Sequence, residues 1–521
     1  QARMHTALIL ATTLNFLLLQ ISAQQTENEV SHSTSVAGMV KLLDVESKLI
    51  ENLDNYATQL ERKLEAVRSY VADMRAENDK AKQQTESYLS NPLNAFALIR
   101  RMHQDWLYWR LYMEQPVGHE QAAYVPQMQQ HLPTSTDLEE AAASIHRIQL
   151  TYDMKAADMS SGLLNGRQYN VSLSSLDRYA LGKHHFDRQN FGEACQWIYQ
   201  AIQWLDGKNK LPRPLALDRA ELFQLYGEAL IKMNRFNDAL QVFNNAVAFK
   251  QDNAQLLQRR LEVEALTRTN AHLPPQRYSI PQPGAYELGC RGGYPSKSNL
   301  YCFYNHTTSA FLRLAPIKME LLALDPYMVL YHDIVTSKEI QELQYYAVPN
   351  LMRATVFDAK TGRNNVVKTR TSKVTWLPDA HSELTRRLNR RITDMTGFDM
   401  YGSEMLQVMN YGLGGHYDKH FDYFNATTAP ELTKMNGDRI ATVLFYLTDV
   451  EQGGATVFPN IGKAIFPKRG TAVMWYNLRH DGNGDPQTLH AACPVIVGSK
   501  WVTNKWIRER QQLFTRPCEK M

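Results

Sequence analysis

A helical pattern of apolar and polar positions fills the N-terminal part of the chain. Two seams of apolar residues repeat every seven positions, which is the spacing of a coiled coil. The first seam holds Leu42, Leu49 and Tyr56, the second holds Leu53, Leu60, Val67 and Met74, and Glu46 and Lys63 are flaws in the pattern. Because a long helix cannot bury so narrow a stripe alone, we predict a helical dimerisation module over 24–160. The alternative is a long helix packed against its own chain.

A repeated helical unit follows between about 172 and 268. The small residues that let paired helices approach recur at equal spacing in two units, Gly182, Ala194 and Ala201 and then Gly227, Ala239 and Ala246. These are the small-residue positions of a tetratricopeptide unit, whose stacked helices form a concave surface suited to an extended peptide. We therefore predict a peptide-binding domain over 161–270. Tyr199 and Tyr226 are candidates to line its surface, although aromatic residues within helices more often pack in a core.

Beyond a linker the pattern changes from helices to strands. Residues 271–320 contain several prolines and turn-forming residues and are predicted to be a linker that includes a disulfide loop. Strand-like runs then follow at 405–409, 442–447, 471–476 and 494–497, separated by glycine-rich turns. This spacing predicts a jelly roll, or double-stranded β-helix, over 321–521, with helices packed outside it. The fold class predicted for the whole chain is multidomain α+β.

The first residues indicate the compartment, whereas the charge indicates no partner. Residues 1–23 place Arg3 before an apolar stretch and end on small side chains, which is the pattern of a secretory signal peptide. No later segment approaches the roughly 18 apolar residues that a membrane-spanning helix needs. The formal net charge of +4 over 521 residues indicates no nucleic-acid-binding surface. We therefore predict a lumenal protein without a membrane span, with N-glycosylation sequons at Asn170, Asn305 and Asn425.

Five cysteines fit an oxidising compartment. Cys290 and Cys302 bracket a short loop, whereas Cys493 and Cys518 lie near the C-terminus. The simplest arrangement is therefore the two disulfides Cys290–Cys302 and Cys493–Cys518. The remaining Cys195 lies in a helical apolar pattern and is expected to be a buried small side chain rather than a reactive thiol.

The segment 415–422 holds candidate metal ligands. It contains two overlapping His-x-Asp pairs, His416 with Asp418 and His420 with Asp422. A His and a carboxylate two residues apart, completed by a distant second His, form the facial triad of non-haem Fe(II) oxygenases, which leaves positions open for a 2-oxo acid and dioxygen. On a strand both pairs would project to one face, so from the residues alone either pair qualifies.

His490 and Lys500 are the downstream candidates for the same site. His490 opens an apolar run, and Lys500 stands beside apolar residues after a glycine-serine turn. A lysine buried there would be costly without a partner, and the distal carboxylate of 2-oxoglutarate would supply one. The alternative is a surface histidine and a solvated lysine near a hairpin.

Longer runs make the sequence similar to the α subunits of animal prolyl 4-hydroxylases. These runs are 91–96, 149–152, 407–415, 420–422, 439–442, 453–459, 471–478, 490–494 and 500–501. The resemblance implies an Fe(II)- and 2-oxoglutarate-dependent dioxygenase whose metal ligands are His420, Asp422 and His490 and whose Lys500 binds the cosubstrate. It also implies that Tyr411 and Thr442 line the cosubstrate pocket and that Tyr417 and Trp506 contact the substrate.

The resemblance further implies the reaction and the partners. Proline in collagen-like X-Pro-Gly peptides would be hydroxylated at C4 while 2-oxoglutarate and O2 yield succinate and CO2, and ascorbate would rescue oxidised iron. Such α subunits work in α2β2 tetramers whose β subunit is protein disulfide isomerase, in the lumen of the endoplasmic reticulum. The expected partners are therefore this β subunit, a second α chain and a proline-rich peptide.

One departure from the family pattern bears on the substrate. Leu225 and Glu228 stand where peptide-binding tyrosines of the family are expected, so the repeat groove of this chain is expected to prefer another peptide or to bind the usual one weakly. Two alternatives stay open: the same chemistry on a non-collagen secreted protein, and a non-catalytic peptide-binding scaffold. Turnover of 2-oxoglutarate with a (Pro-Pro-Gly) repeat peptide distinguishes them.

Overall fold

The structure is a computed structural model that describes residues 32–206, 217–279, 281–295, 300–358, 363–424 and 430–516. The predicted signal peptide, Asn425 and Cys518 lie outside these residues. Within them, no helix is long and apolar enough to cross a membrane. Contacts divide the chain into two compact units, of which residues 39–134 form one and residues up to 38 together with those from 135 onward form the other.

The smaller unit, which we call the helical unit, is built on one long helix. It contains most of α1 (Val36–Gln83), followed by α2 (Thr85–Ser90), α3 (Pro92–Arg100), α4 (Trp106–Glu114) and α5 (His119–Met128). The later helices pack back on α1, because Lys63 Nζ donates to the carbonyl oxygen of Met113 at 3.2 Å and the rings of Tyr70 and Trp109 lie 4.5 Å apart. Lys63, a flaw in the predicted heptads, thus lies on the face that packs within the chain.

The two predicted seams of α1 differ in exposure. The side chains of the first seam, Leu42, Leu49 and Tyr56, are half-buried. In the second seam Leu53 and Leu60 are 67% and 42% exposed, and a parallel row of apolar residues is exposed beside them, namely Leu43, Ile50, Leu64 and Val71. The helix therefore presents an apolar heptad face that the described residues of its own unit leave uncovered.

The larger unit begins with paired helices. These are α6 (Ser135–Tyr152), α7 (Ala156–Ser160), α8 (Ser175–Asp187), α9 (Phe191–Asp206), α10 (Arg219–Lys232), α11 (Phe236–Phe249) and α12 (Ala254–Thr269), with a short hairpin of β1 (Leu163–Leu164) and β2 (Arg167–Gln168). Added Cβ atoms at Gly182 and Gly227 would lie 2.5 Å from Ile198 and Phe243, so the repeated small residues do allow close helix approach. By its contacts α6 belongs to this unit, and the helical unit ends at 134. The extent of the dimerisation module, 24–160, stays a prediction.

Two facing sheets make up the C-terminal part. The strands are β3 (Cys302–Asn305), β4 (Ile317–Leu324), β5 (Tyr327–His332), β6 (Met352–Arg353), β7 (Thr355–Asp358), β8 (Arg363–Val366), β9 (Lys373–Leu377), β10 (Leu406–Tyr411), β11 (Tyr417–His420), β12 (Arg439–Tyr446), β13 (Gln452–Gly453), β14 (Thr456–Phe458), β15 (Lys463–Ile465), β16 (Ala472–Tyr476), β17 (His490–Ala492), β18 (Val495–Val497) and β19 (Lys500–Arg508). The larger sheet has the order β3-β4-β5-β16-β12-β19-β10-β9-β6, and the smaller has the order β11-β17-β14-β15.

Strand alternation gives the larger sheet two different faces. On one face Val443 and Phe445 of β12 pack with α14 (Ser337–Ala347) and α15 (Glu383–Thr396) in one apolar cluster. On the other face Leu444 and Tyr446 pack with Phe458 and Ala492 of the smaller sheet. Helices therefore cover one side of the larger sheet, and the space between the two sheets lies on the other. Two short helices, α13 (Ala285–Cys290) and α16 (Pro430–Thr433), complete the chain.

The predicted disulfides are wrong. Cys290 is bonded to Cys493, with a Cα–Cα distance of 5.6 Å, so neither residue is available for its predicted partner. The reason is that α13 packs against β14, in an apolar cluster that contains both cysteines, whereas Cys302 lies exposed on the edge strand β3. Proximity along the chain suggested the predicted pairs, but helix packing on the sheet determines the actual one. Cys195 is buried, and burial raises the pKa of its thiol to about 12, which agrees with an unreactive side chain.

The two described sequons differ. Asn170 is exposed, and its glycosylation stays a prediction. Asn305 is 5% exposed, and its amide nitrogen donates to the Thr308 hydroxyl at 2.8 Å. A glycan on that nitrogen would break this hydrogen bond and would require the side chain to leave its buried position.

Candidate metal and cosubstrate site

Pairing between β11 and β17 brings the two predicted histidine ligands together. His420 ends β11 and His490 begins β17, and the two are direct partners in the antiparallel register. Asp422 follows in the loop after β11 and lies between them, with a carboxylate oxygen 3.7 Å from each Nε2 atom. All three ligand atoms lie within 4.8 Å of one another. Residues about seventy positions apart in sequence thus form one compact donor set.

Backbone carbonyls hold both imidazoles in the orientation that a metal requires. His420 Nδ1 lies 2.7 Å from the carbonyl oxygen of Asp418, and His490 Nδ1 lies 3.0 Å from that of Thr488. A carbonyl can only accept, so each Nδ1 carries a proton and Nε2 is the atom of each ring that is left to bind a metal. Burial, followed by the facing His490, lowers the pKa of His420 to about 3 and keeps that ring neutral.

The carboxylate of Asp422 is buried but charged. Burial by itself raises its pKa, yet the fields of His490, His420 and Arg439 and a hydrogen bond from the Thr442 hydroxyl at 2.7 Å hold the pKa below its usual value. The same hydroxyl accepts a hydrogen bond from the amide of Asn477 at 2.9 Å, which fixes its direction. Two imidazoles and one ionised carboxylate fit an Fe(II) ion with N and O ligands.

Lys500 is 1% exposed and faces the same cavity. It begins β19, pairs in register with Tyr411 of β10, and its Nζ lies 5.0 Å from the centre of the Tyr411 ring. No carboxylate of the described residues forms an ion pair with it, and burial lowers its pKa to about 7. A buried ammonium without a carboxylate partner is costly, so the position fits an anionic ligand that enters the cavity.

The cavity between the sheets has a volume of about 50 Å³ and contains every predicted catalytic and cosubstrate residue. Its lining includes Tyr411, Tyr417, His420, Asp422, Thr442, His490, Lys500 and Trp506. Burial raises the pKa of Tyr411 to about 12, so its phenol stays protonated at neutral pH. A larger groove of about 1070 Å³ elsewhere in this unit is lined by none of these residues.

Two aromatic side chains at the cavity are each held by an arginine. The Tyr417 ring stacks on His420 with centroids 3.6 Å apart, and the Arg370 guanidinium carbon lies 4.8 Å from the centre of the Tyr417 ring. Arg439 lies 3.6 Å from the centre of the Trp506 ring. The indole N–H of Trp506 has no hydrogen-bond acceptor among the described residues. It is therefore a donor left over for a ligand.

The structure separates the two His-x-Asp pairs that the sequence left equivalent. His416 is 3% exposed, its Nε2 lies 3.2 Å from Asp418, and its Nδ1 lies 2.8 Å from the Thr371 hydroxyl. Among the described residues, only the pair His420 and Asp422 joins a third ligand. His416 and Asp418 therefore satisfy each other outside the donor set.

The predicted peptide-binding tyrosines lie on neighbouring helices of the repeat region. The ring centroids of Tyr199 on α9 and Tyr226 on α10 are 6.1 Å apart, and Tyr199 is 45% exposed. Two positions after Tyr226, on a different face of α10, Glu228 accepts two hydrogen bonds from Arg259 of α12, at 2.6 and 2.8 Å. An ion pair thus stands where an aromatic side chain was expected.

Sequence reasoning missed several residues that hold this site. Arg370 donates to Gln407 at 2.9 Å, and Arg439 forms a two-point ion pair with Glu404 at 2.6 and 2.7 Å. Asn410 is fully buried beside Lys500. Asn410 and Arg439 show in the sequence only as polar residues in largely apolar strands, and Arg370 lies in a polar run between two strands, so neither signal identifies a partner.

Comparisons with known proteins agree with this donor set. Residues 406–508 match a family model described as the 2OG-Fe(II) oxygenase superfamily, and residues 35–166 match one described as the prolyl 4-hydroxylase alpha-subunit, N-terminal region. The fold and the triad thus define the chain as a 2-oxoglutarate- and iron-dependent dioxygenase.

The prolyl 4-hydroxylase subunit alpha-2 of Gallus gallus is 33% identical over 94% of this chain and 95% of its own length. The human subunit alpha-1 is 31% identical over 96% of this chain and 98% of its own length. The chain belongs to the prolyl 4-hydroxylase α-subunit family.

A solved structure was also matched over part of the chain. The viral collagen prolyl hydroxylase vCPH from Paramecium Bursaria Chlorella virus-1, as its 2OG complex, is 25% identical, covers 36% of this chain and 98% of its own, and has a TM-score of 0.30. Family membership rests on the sequence relatives rather than on this superposition.

Proposed function

We propose that the chain is the catalytic α subunit of a collagen-type prolyl 4-hydroxylase. It hydroxylates C4 of proline in X-Pro-Gly sequences and converts 2-oxoglutarate and O2 to succinate and CO2. The observation that carries the proposal is a set of two imidazoles and one carboxylate that faces a buried ammonium without a carboxylate partner. The names of the relatives, which are prolyl 4-hydroxylase α subunits, support the choice of substrate.

The finer fold assignments belong to the same proposal. The two facing sheets correspond to a jelly roll, in which such metal sites lie between the sheets. The paired helices from α8 to α12, with glycine and alanine at their contacts, correspond to a tetratricopeptide-like domain that binds peptide. Residues 161–270 and 321–521 are the proposed extents of these two domains.

The residues of the site have separate roles. Bound iron supplies the oxidative chemistry that decarboxylates 2-oxoglutarate and inserts oxygen into an unactivated C–H bond. His420, Asp422 and His490 hold the iron on one side only, and Thr442 fixes the carboxylate of Asp422. Lys500 binds the distal carboxylate of 2-oxoglutarate and thereby orients its other end toward the metal. Ascorbate serves as the reductant that restores iron oxidised without substrate turnover.

The substrate side of the pocket is aromatic. Tyr417 and Trp506 line the same cavity as the proposed metal ligands, and their ring edges supply apolar surface there for a proline ring. The unsatisfied indole N–H of Trp506 provides a donor for a peptide carbonyl. Because proline has no N–H of its own, recognition by stacking together with a donor to its carbonyl suits this residue.

The chain is proposed to assemble with a second α chain and a β subunit in the endoplasmic reticulum. The exposed heptad face of α1 is suited to pairing with a second α chain, since apolar seams of this size are normally covered. The predicted signal peptide supports residence in the endoplasmic reticulum, where protein disulfide isomerase would be the β subunit of an α2β2 tetramer.

A second substrate class is favoured by one observation. The ion pair of Glu228 with Arg259 replaces an aromatic contact on the proposed groove and presents charge to a bound peptide. A non-collagen secreted protein with charged residues near its proline would suit this surface better than an uncharged proline-rich strand.

The test measures succinate release by the chain co-expressed with protein disulfide isomerase. We expect turnover with a (Pro-Pro-Gly) repeat peptide that requires Fe(II) and 2-oxoglutarate, and 4-hydroxyproline in the product. Turnover on other secreted proteins but not on this peptide would support the second substrate class. Absence of turnover with every peptide, in a complex that retains iron, would support the scaffold alternative.

A further inference from the structure

A short segment ahead of α1 is buried against the cosubstrate pocket. We call residues 33–37 the N-terminal strap. Ser33, Thr34 and Ser35 are 8%, 3% and 0% exposed, although they precede a long helix with an exposed apolar face. The strap belongs to the unit that contains the metal site, whereas most of α1 belongs to the helical unit. Such burial of a short polar segment calls for specific partners.

The backbone of the strap binds the loop that follows β10. The Gly412 N–H donates to the carbonyl oxygen of Thr34 at 3.1 Å, and the Leu413 N–H donates to that of Ser33 at 3.2 Å. A Cβ atom at Gly412 would lie 2.3 Å from the oxygen of Ser33 and 2.5 Å from the nitrogen of Ser35. Gly412 has no left-handed backbone conformation that would require glycine. Its lack of a side chain is therefore explained by the strap itself.

Asn410 carries the contact from the strap to Lys500. The Ala37 N–H, in the first turn of α1, donates to Asn410 Oδ1 at 3.3 Å. The amide nitrogen of Asn410 donates to the Ser499 hydroxyl at 3.1 Å and to the backbone oxygen of Lys500 at 3.4 Å. The first N–H groups of a helix have no partner within the helix. The side chain of Asn410 accepts from one of these N–H groups and donates to the backbone oxygen of Lys500, so it links the start of α1 to the lysine.

The far side of the same loop is held by α6. Arg147 donates to the carbonyl oxygen of Gly414 at 2.8 Å, and the side chain of Asp137 accepts from the backbone N–H of His32 at 2.7 Å. The loop between Tyr411 and His416 is thus fixed between the strap and one helix. Tyr411, which begins this loop, is the register partner of Lys500.

We propose that the N-terminal strap is a positioning element for the 2-oxoglutarate pocket. By fixing the backbone at 410–413 and at Lys500, it holds the ammonium at the depth and angle that the distal carboxylate requires. The inference rests on the proposed function, in which Lys500 binds that carboxylate. Loss of the strap therefore weakens 2-oxoglutarate binding, whereas the metal ligands, which lie on other strands, keep their geometry.

Three variants test this in the complex with the β subunit. The first is a chain whose mature sequence begins at Gly38 and so lacks the whole strap, the second is Gly412→Ala, and the third combines both changes. A chain that begins at His32 keeps the strap and is the matched control. The measurements are the KM for 2-oxoglutarate, the KM for the peptide, and the Kd for 2-oxoglutarate by calorimetry of Mn(II)-loaded protein without oxygen.

We expect the truncation and Gly412→Ala each to raise the KM and Kd for 2-oxoglutarate by about tenfold, which corresponds to ~1.4 kcal/mol. The peptide KM and the Mn(II) affinity should stay within about twofold of the control, a split that a general loss of packing would not give. The combined variant should be no weaker than the truncation alone, because the added methyl group then has nothing to displace.

Three results overturn the inference. The first is a Kd for 2-oxoglutarate that the truncation leaves unchanged in an enzyme that turns over, and the second is an equal loss in all measured constants. The third is an additive effect of Gly412→Ala on the truncated chain. If the truncated chain does not assemble, Gly412→Ala alone decides, since a single methyl group tests the same contact. Failure of the unaltered enzyme to consume 2-oxoglutarate would instead contradict the proposed function.

Discussion

The metal pocket and the repeat groove place different demands on their residues. In the pocket, His420 faces His490 across a strand pair, and the identity of each ligand is dictated by the ion it must hold. In the groove, the helices keep their glycine and alanine contacts, yet an ion pair of Glu228 and Arg259 occupies the position of an expected aromatic residue. Catalytic chemistry thus constrains side chains one by one, whereas a peptide-binding surface can change its chemistry without changing its fold.

The largest effect is expected from a substitution that removes the charge of the proposed carboxylate ligand. Asp422→Asn keeps the volume of the side chain but gives a poorer metal ligand, so we expect Fe(II) affinity to fall by at least about a hundredfold and turnover to be lost. Metal content after dialysis and succinate release measure this. Asp418→Asn is the matched control, because Asp418 belongs to the neighbouring pair and should leave both unchanged. Equal losses in the two variants would contradict the assignment of ligands.

The next effect concerns the cosubstrate. Lys500→Met keeps the chain length but removes the ammonium, so we expect the KM for 2-oxoglutarate to rise by roughly 30- to 1,000-fold, from a loss of about 2 to 4 kcal/mol. Initial rates at varied 2-oxoglutarate measure it. Lys505→Met alters a buried lysine on the same strand that is paired with Asp379 at 2.7 Å, and it should lower stability without this change in KM. A raised KM for 2-oxoglutarate in Lys505→Met but not in Lys500→Met would mean that Lys500 does not bind the cosubstrate.

A smaller effect is expected in the proposed repeat groove, where one substitution should improve peptide binding. Glu228→Tyr places an aromatic side chain at the position where the family pattern leads us to expect one and should lower the KM for a long (Pro-Pro-Gly) repeat peptide by roughly two- to tenfold, with kcat unchanged. Steady-state kinetics with long and short peptides measure the change. Glu262→Gln also removes a partner of Arg259 but leaves Glu228 in place, so it serves as the control. A higher KM in Glu228→Tyr would show that the ion pair itself binds the peptide.

The smallest effect is a pH dependence of stability. Burial lowers the folded-state pKa of Lys500 to about 7, below its unfolded value of about 10.4. The unfolded chain therefore binds more protons between these two values, and the stability of the cosubstrate-free protein should rise with pH across this window. Lys500→Met should show a shallower rise in Tm between pH 7 and 9, measured by thermal unfolding. A parallel rise in both proteins would mean that Lys500 is not buried as described.

The metal ligands could be predicted from the sequence because short patterns, such as the His-x-Asp pair, indicate them. The His-x-Asp spacing left two candidate pairs, and the family resemblance selected His420, Asp422 and His490, which the structure brings within 4.8 Å. The cysteine pairing failed because it depends on how α13 packs on a sheet, which no spacing records. The N-terminal strap was missed for the same reason. Its partners, Gly412 and Asn410, are more than 370 positions away, and hydrogen bonds between backbone groups leave no pattern in the side chains.

The Cys290–Cys493 bond also governs when a newly made chain can mature. Its two cysteines are 203 positions apart, so the bond cannot form until that much chain has been made after Cys290. Cys493 lies three positions after His490, on the segment that carries the last of the three proposed ligands. Oxidation at this bond therefore waits for the ligand-bearing segment, and shorter nascent chains lack the covalent link that ties this segment to α13.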